Sequence, residues 1–189
     1  MVRQTEHNVF VGSSFGETDV AKRFREQISP KIQGIEKVYV PFFEFEFLVT
    51  FDDNRAPLSG TYWSDGIMLS CRLLPCDFNE PRLVARRGGT LLPIDQTVEA
   101  AKDVVRQKVL SSLPAEINRK GVSYNLTLEF RGQYYVPFWV AYFQGSRPGM
   151  FDFIVFDSQT GEIDSTAKDV VDRGFLLLDE QKDKVPPWF

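Results

Sequence analysis

From Phe43 to Phe51 the chain alternates. Phe43, Phe45, Phe47, Val49 and Phe51 fall on one side of an extended backbone, and Glu44, Glu46, Leu48 and Thr50 on the other. A period of two predicts a half-buried strand, its rings inward and its carboxylates facing water or guarding an edge. A second aromatic run, Tyr134 to Phe143, follows in the other half of the chain. Setting Pro41 against Pro137 pairs Tyr39 with Tyr135, Val40 with Val136, Phe42 with Phe138 and Phe47 with Phe143, at a shift of 96 positions. Self-similarity at such a spacing predicts two copies of one supersecondary unit. Proline has no N–H to give, so Pro41 and Pro137 are expected at a strand start, an edge or a bulge.

Each aromatic strand lies downstream of a helical pattern. The first runs from Thr18, its expected cap, to Ile28, with Val20, Ala21, Phe24 and Ile28 on one stripe. The second runs from Gln96 to Leu113, capped by Asp95 and ended by Pro114, with Val98, Ala101, Val105 and Val109 recurring. A third, Thr166 to Glu180, is capped by Asp164 or Ser165 and buries Ala167, Val170, Val171, Gly174, Phe175 and Leu178. Gly66–Leu74, Arg82–Arg86, Thr90–Pro93, Val122–Phe130 and Met150–Phe156 read as further strands. Turns are expected at Gly88-Gly89, Arg131-Gly132, Gly145–Gly149 and Asp157–Gly161. The predicted fold is α+β: two tandem helix-plus-curled-antiparallel-sheet units, 1–94 and 95–189, the second carrying the C-terminal helix. No Gly/Ser/Pro linker separates them, so they are expected to pack together.

Composition narrows the function classes. The 189 residues are 43% apolar and 25% charged, the balance of a folded domain. With 22 Lys+Arg against 26 Asp+Glu, the chain lacks the basic surplus of a nucleic-acid binder. No apolar run reaches the roughly 18 residues of a membrane span, and the first residues lack a signal-peptide core. Two cysteines are too few for a disulfide framework. Together these predict a cytoplasmic protein. The surplus is aromatic: 17 Phe, 6 Tyr and 3 Trp, enough to line a pocket or an interface as well as a core.

Catalytic fingerprints are weak. Cys71 and Cys76 face a single histidine, His7, in a polar N-terminal stretch, whereas zinc wants four N/S ligands; neither a metal nor another cofactor is expected. A Cys–His nucleophile would need that same His7, and Gly12-Ser-Ser-Phe-Gly16 is not a nucleophile elbow. Glu44 and Glu46 stand about 7 Å apart on one strand face, within reach of acid/base work, but the second copy has Val140 and Tyr142 there. Asp157–Asp164 lacks calcium-loop spacing, and Arg86-Arg87-Gly88-Gly89 is a small basic turn rather than a phosphate loop.

The run Tyr135-Val-Pro-Phe-Trp-Val-Ala-Tyr142 and the strand-turn Phe153-Ile-Val-Phe-Asp157-Ser-Gln-Thr-Gly161-Glu-Ile resemble PepSY-like and cystatin-like domains over about 60 residues. The resemblance implies a helix laid on a curled sheet and a role in inhibition or accessory binding, with no catalytic residue to carry over. The expected function is therefore non-catalytic. Aromatic strand surfaces, through Tyr39, Phe42, Tyr135, Phe138, Trp139 and Tyr142, bind a protein or peptide partner or a second copy, with strand addition as one mechanism. Two alternatives are a small apolar ligand between helix and sheet, beside Phe43, Phe45 and Trp139, and a hydrolase using Glu44 and Glu46 or Cys71. The aromatic tail Val185–Phe189 is a further expected contact site.

Overall fold

The structure, a computed structural model, describes residues 9–27, 32–53, 55–74, 83–86, 88–144 and 151–183. Expectations on His7, Cys76, Arg87, the Gly145–Gly149 turn and the tail lie outside them. The elements in chain order are β1 (Val9–Val11), α1 (Glu17–Gln27), β2 (Ile32–Phe51), β3 (Leu58–Asp65), β4 (Cys71–Leu73), β5 (Leu83–Val84) and β6 (Thr90–Leu91). They continue with α2 (Val98–Ser112), α3 (Ala115–Lys120), β7 (Tyr124–Gln144), β8 (Phe151–Asp157) and α4 (Ser165–Asp183). The α+β class holds, with one mixed sheet: β2 pairs antiparallel with β3 and parallel with β6, and β7 pairs antiparallel with β8.

The helix ends show where local chemistry was misjudged. Helix α1 begins one residue before Thr18, and the Gly16 N–H is held by Asp19 Oδ2 at 3.1 Å, so the first turn is closed from inside. Helix α2 is capped by Thr97, whose hydroxyl takes the Ala100 N–H at 3.1 Å; Asp95 instead gives its N–H to Gly66 O at 2.9 Å. Asp164 caps α4 through the Ala167 N–H at 2.9 Å.

The two aromatic strands are far longer than expected. No turn forms at Arg131-Gly132. A Cβ on Gly132 would stand 3.2 Å from the Tyr134 hydroxyl, so the glycine leaves room for that ring inside a continuous β7. Pro41 and Pro137 lie within strands, not at their starts. Each sits immediately ahead of a change of partner: β6 stops at Tyr39 and β3 begins at Phe42, while β8 begins at Phe138. A missing N–H costs no ladder bond at such a seam. The strand β3 was not anticipated, and Gly66–Leu74 is a turn followed by the short β4.

The chain divides into two compact units: Met1–Pro41, Pro81–Pro93 and Tyr135–Phe189 form the first; Phe42–Glu80 and Ile94–Tyr134 the second. The expected halves 1–94 and 95–189 thus each contribute to both.

In the second unit, α2 lays Ala101, Val105 and Val109 on Phe43, Phe45, Phe47, Val49 and Tyr62 of β2 and β3, joined by Leu113, Ile117 and Leu128. The opposite face carries Glu44, Glu46 and Arg131, as the alternation requires.

In the first unit, α1 lays Val20 and Phe24 on Trp139 and Ala141 of β7 and Phe156 of β8. So α1 and α2 each cover the hairpin of the other half of the sequence. Gly89, at φ +86°, lets β6 approach β2: a Cβ there would stand 2.5 Å from Lys37 O.

The two hairpins end alike. Phe42 pairs with Asp65, the last residue of β3, and Phe138 with Asp157, the last of β8. The Asp65 N–H bonds Ser70 O at 3.0 Å, and the Asp157 N–H bonds Glu162 O at 2.9 Å, five residues on in both. Leu69 and Gly161, four residues on, both have positive φ, 63° and 67°.

Candidate functional site

Five of the six aromatic residues expected at a binding surface, Tyr39, Phe42, Tyr135, Phe138 and Trp139, are buried. All five pack into the core rather than onto an open strand surface. Phe10 of β1 closes over Tyr39 edge-on at 5.2 Å and stacks on Tyr135 at 5.5 Å. Trp139 gives its indole N–H to Phe15 O at 2.9 Å and lies 4.7 Å under the Lys37 ammonium. Phe42 packs on Trp63 at 5.8 Å, and Arg72 lies over both rings.

Tyr142 alone of the six is half-buried, and it leads to a surface that the sequence did not single out. On the β7–β8 hairpin, Ile154 and Phe156 face α1, so Phe153 and Val155 face the other way, toward α4. Tyr142 stands opposite Phe153 with rings 6.1 Å apart, and Phe153 meets Phe175 of α4 edge-on at 6.3 Å. Lys168 of α4 caps this ladder, 2.8 Å from Asp152 Oδ1 and 5.2 Å over the Phe153 ring. At the strand's start Phe151 is 66% exposed, and Leu176 on α4 is exposed as well.

The polar partners fix the ladder. Tyr142 donates its hydroxyl to Glu36, whose second oxygen accepts from Thr90 Oγ1 at 3.3 Å. Burial first, and the Glu36 carboxylate second, hold the Tyr142 phenol above its ordinary range. The Lys168 ammonium beside Asp152 holds that carboxyl below the usual range.

The backbone of β8 adds a second feature. Val155 O accepts from Asp164 N–H at 2.9 Å and Asp157 N–H bonds Glu162 O, both on the side away from β7. Backbone groups alternate along a strand, so those of Phe151 and Phe153 also point outward. The Phe153 N–H is taken by its neighbour Asp152 at 2.7 Å. Among the described residues, β8 has β7 as its one strand neighbour.

The other candidates are placed as follows. Glu46 is bound by Arg131, which also reaches Glu129 at 2.8 Å, on the exposed face of the second unit. Phe43 and Phe45 fill the space under α2 in the second unit, and Trp139 belongs to the first. Burial pushes the Cys71 thiol up, away from the thiolate that a nucleophile needs. Arg86 donates to Gly89 O at 2.7 Å, and Asp157 Oδ1 accepts the Gln159 N–H at 2.7 Å within its own turn. No group of three metal-ligating side chains occurs among the described residues. None of the described helices is long and apolar enough to cross a membrane.

Phe151 and Phe153 were legible only as a strand after a Gly/Pro turn, and Phe175 only as part of a helical stripe; periodicity does not say which ring stays wet. A comparison of the chain with protein-family models, with curated proteins and with solved structures gave no match.

Proposed function

We propose that the protein is a non-catalytic binding module that takes an extended segment of a protein partner along the outer edge of β8, with Phe151 as the apolar anchor. The observation that carries this reading is the 66% exposure of a phenylalanine on a seven-residue strand whose leading residues turn their backbone groups outward. Strand addition draws affinity from main-chain hydrogen bonds and selectivity from alternate side chains. Phe151 and the Phe153–Phe175 pair supply an apolar strip, and Asp152 with Lys168 supplies a polar rim.

The same reading includes an internal duplication, cytoplasmic placement and kinship of the hairpin-and-turn with PepSY-like domains. The matching turns after Asp65 and Asp157 support the duplication. So does the order of elements: β1, α1 and the β2–β3 hairpin, then β6, α2, α3 and the β7–β8 hairpin. The helices then stand exchanged between the copies.

Panning a library of displayed random peptides on the full chain tests the binding role. Enriched sequences are expected to alternate apolar and polar residues. Phe151→Asp should weaken them by at least the roughly 2 kcal/mol of a hot-spot residue. N-methylation of alternate peptide amides should do the same. An absence of enrichment, or binding indifferent to both changes, overturns the reading.

A further inference from the structure

The two hairpins end alike but are followed differently. After Asp65 the chain returns along β3 as β4, with Cys71 opposite Ser64, Arg72 opposite Trp63 and Leu73 opposite Tyr62. After Asp157 it starts on the same course. Ile163 stands opposite Phe156, at the spacing that Cys71 keeps from Ser64, and the Asp164 N–H reaches Val155 O. Asp164 thus holds the place on β8 that Arg72 holds on β3.

There the two courses part. Beside β3 the chain goes on: Leu74 gives its N–H to Thr61 O at 2.8 Å and buries its side chain. Beside β8 it stops, because Asp164 caps α4 and the helix starts at Ser165. Phe153 is the counterpart of Thr61, and the residue that would face it, Thr166, is helical. Among the described residues, no strand lies on that side of Phe153 and Phe151.

The β3–β4 pair therefore shows how such a place is filled. β4 runs antiparallel to β3. A partner on β8 in the same direction and register sets its first residue opposite Phe153, its second opposite Asp152 and its third opposite Phe151. In an antiparallel ladder the residues facing Phe153 and Phe151 exchange both backbone bonds with them and share their side of the sheet. That side carries the Phe153–Phe175 pair, so it calls for apolar residues, as Leu74 is. One group stands in the way. Asp152 Oδ1 holds the Phe153 N–H at 2.7 Å, and the Lys168 ammonium holds Asp152 at 2.8 Å. The partner's first carbonyl must displace that carboxylate.

We propose, resting on the β8 reading, that β8 takes its partner segment antiparallel, in the register that β4 keeps on β3. Two apolar residues of the partner, one position apart, exchange backbone hydrogen bonds with Phe153 and Phe151, and Asp152 gives up the Phe153 N–H.

The probe is the peptide acetyl-Thr-Leu-Lys-Leu-Thr-Lys-amide, titrated into the full chain while the amide resonances of 151–157 are followed. N-methylation reads the direction. In an antiparallel pair the two leucines bond to β8; in a parallel pair the residue between them does. N-methylation of either leucine should weaken binding about tenfold or more, and that of the lysine between them less than about twofold. Asp152→Ala should tighten the probe about threefold or more by freeing the Phe153 N–H. A probe weakened at the lysine rather than the leucines overturns the proposal and leaves the β8 reading in place. So does an Asp152→Ala chain that binds no tighter, or a probe that leaves 151–157 unmoved while panned peptides enrich. If neither the probe nor panned peptides bind, the β8 reading falls and the proposal with it.

Discussion

Replacing Phe24 by alanine tests the seating of α1 on the β7–β8 hairpin directly. The side chain is fully buried, with its ring 6.0 Å from that of Phe143 and 6.2 Å from that of Phe156. Truncating a buried phenylalanine costs about 3–5 kcal/mol, and two ring contacts place this one in the upper half of that range. A loss of about 4 kcal/mol in a chain of this size lowers the melting temperature by roughly 8–16 °C. It also removes a large share of the roughly 5–15 kcal/mol that holds a domain folded. Calorimetry gives the total, and amide hydrogen exchange gives its address. Protection should fall first in 138–143 and 151–157, the hairpin that α1 covers, while 42–49 and 58–65 stay slow. Were α1 to cover the hairpin that follows it in sequence, the order would invert. That inversion, or a cost under about 1 kcal/mol, refutes the packing described above.

The two matched turns should respond unequally. Asp65 is buried and its carboxylate takes the N–H groups of Ile67, Met68 and Ser70, so Asp65→Ala should cost about 3 kcal/mol or more, measured by urea unfolding. Asp157 takes the Gln159 N–H from within its turn and is less buried than Asp65, so Asp157→Ala should cost less, about 1–2 kcal/mol. Alkaline stability should report on Tyr142 and Tyr62. Burial raises both phenols above the ordinary 10.0, so the unfolded chain loses these protons first. Their contribution is complete below that value and falls as pH climbs past it. Thermal melts from pH 8 to 11 should show the decline, and Tyr142→Phe should flatten part of it; a variant as steep as the parent contradicts the assignment.

What the sequence yielded depended on how local the signal was. The stripe Ala101, Val105 and Val109 and the alternation from Phe43 to Phe51 repeat within a few residues, and both elements form where periodicity puts them. The echo around Pro41 and Pro137 marked the two longest strands. Their continuity through proline and Gly132 was hidden, because it depends on where other strands start and stop. Which hairpin each helix covers was equally hidden: Val20 and Phe24 define an apolar face without naming its mate. Exposure was the least legible property. Trp139 looked like a surface anchor and is core, whereas Phe151 passed as one apolar residue in a strand and is the wet one.

The covering of a late hairpin by an early helix sets a clock. Phe15 and Trp139, joined through carbonyl and indole, are 124 positions apart. A ribosome adding about 5–20 residues per second makes the first wait roughly 6–25 s for the second. Through that interval the greasy side of α1 leaves the exit tunnel with nothing to rest on, while α2 emerges to find its own strands already made. Helix α1, made before its partner strands, is thus among the last elements to settle. A nascent chain stalled before position 139 should be the form of this protein that chaperones grip most tightly.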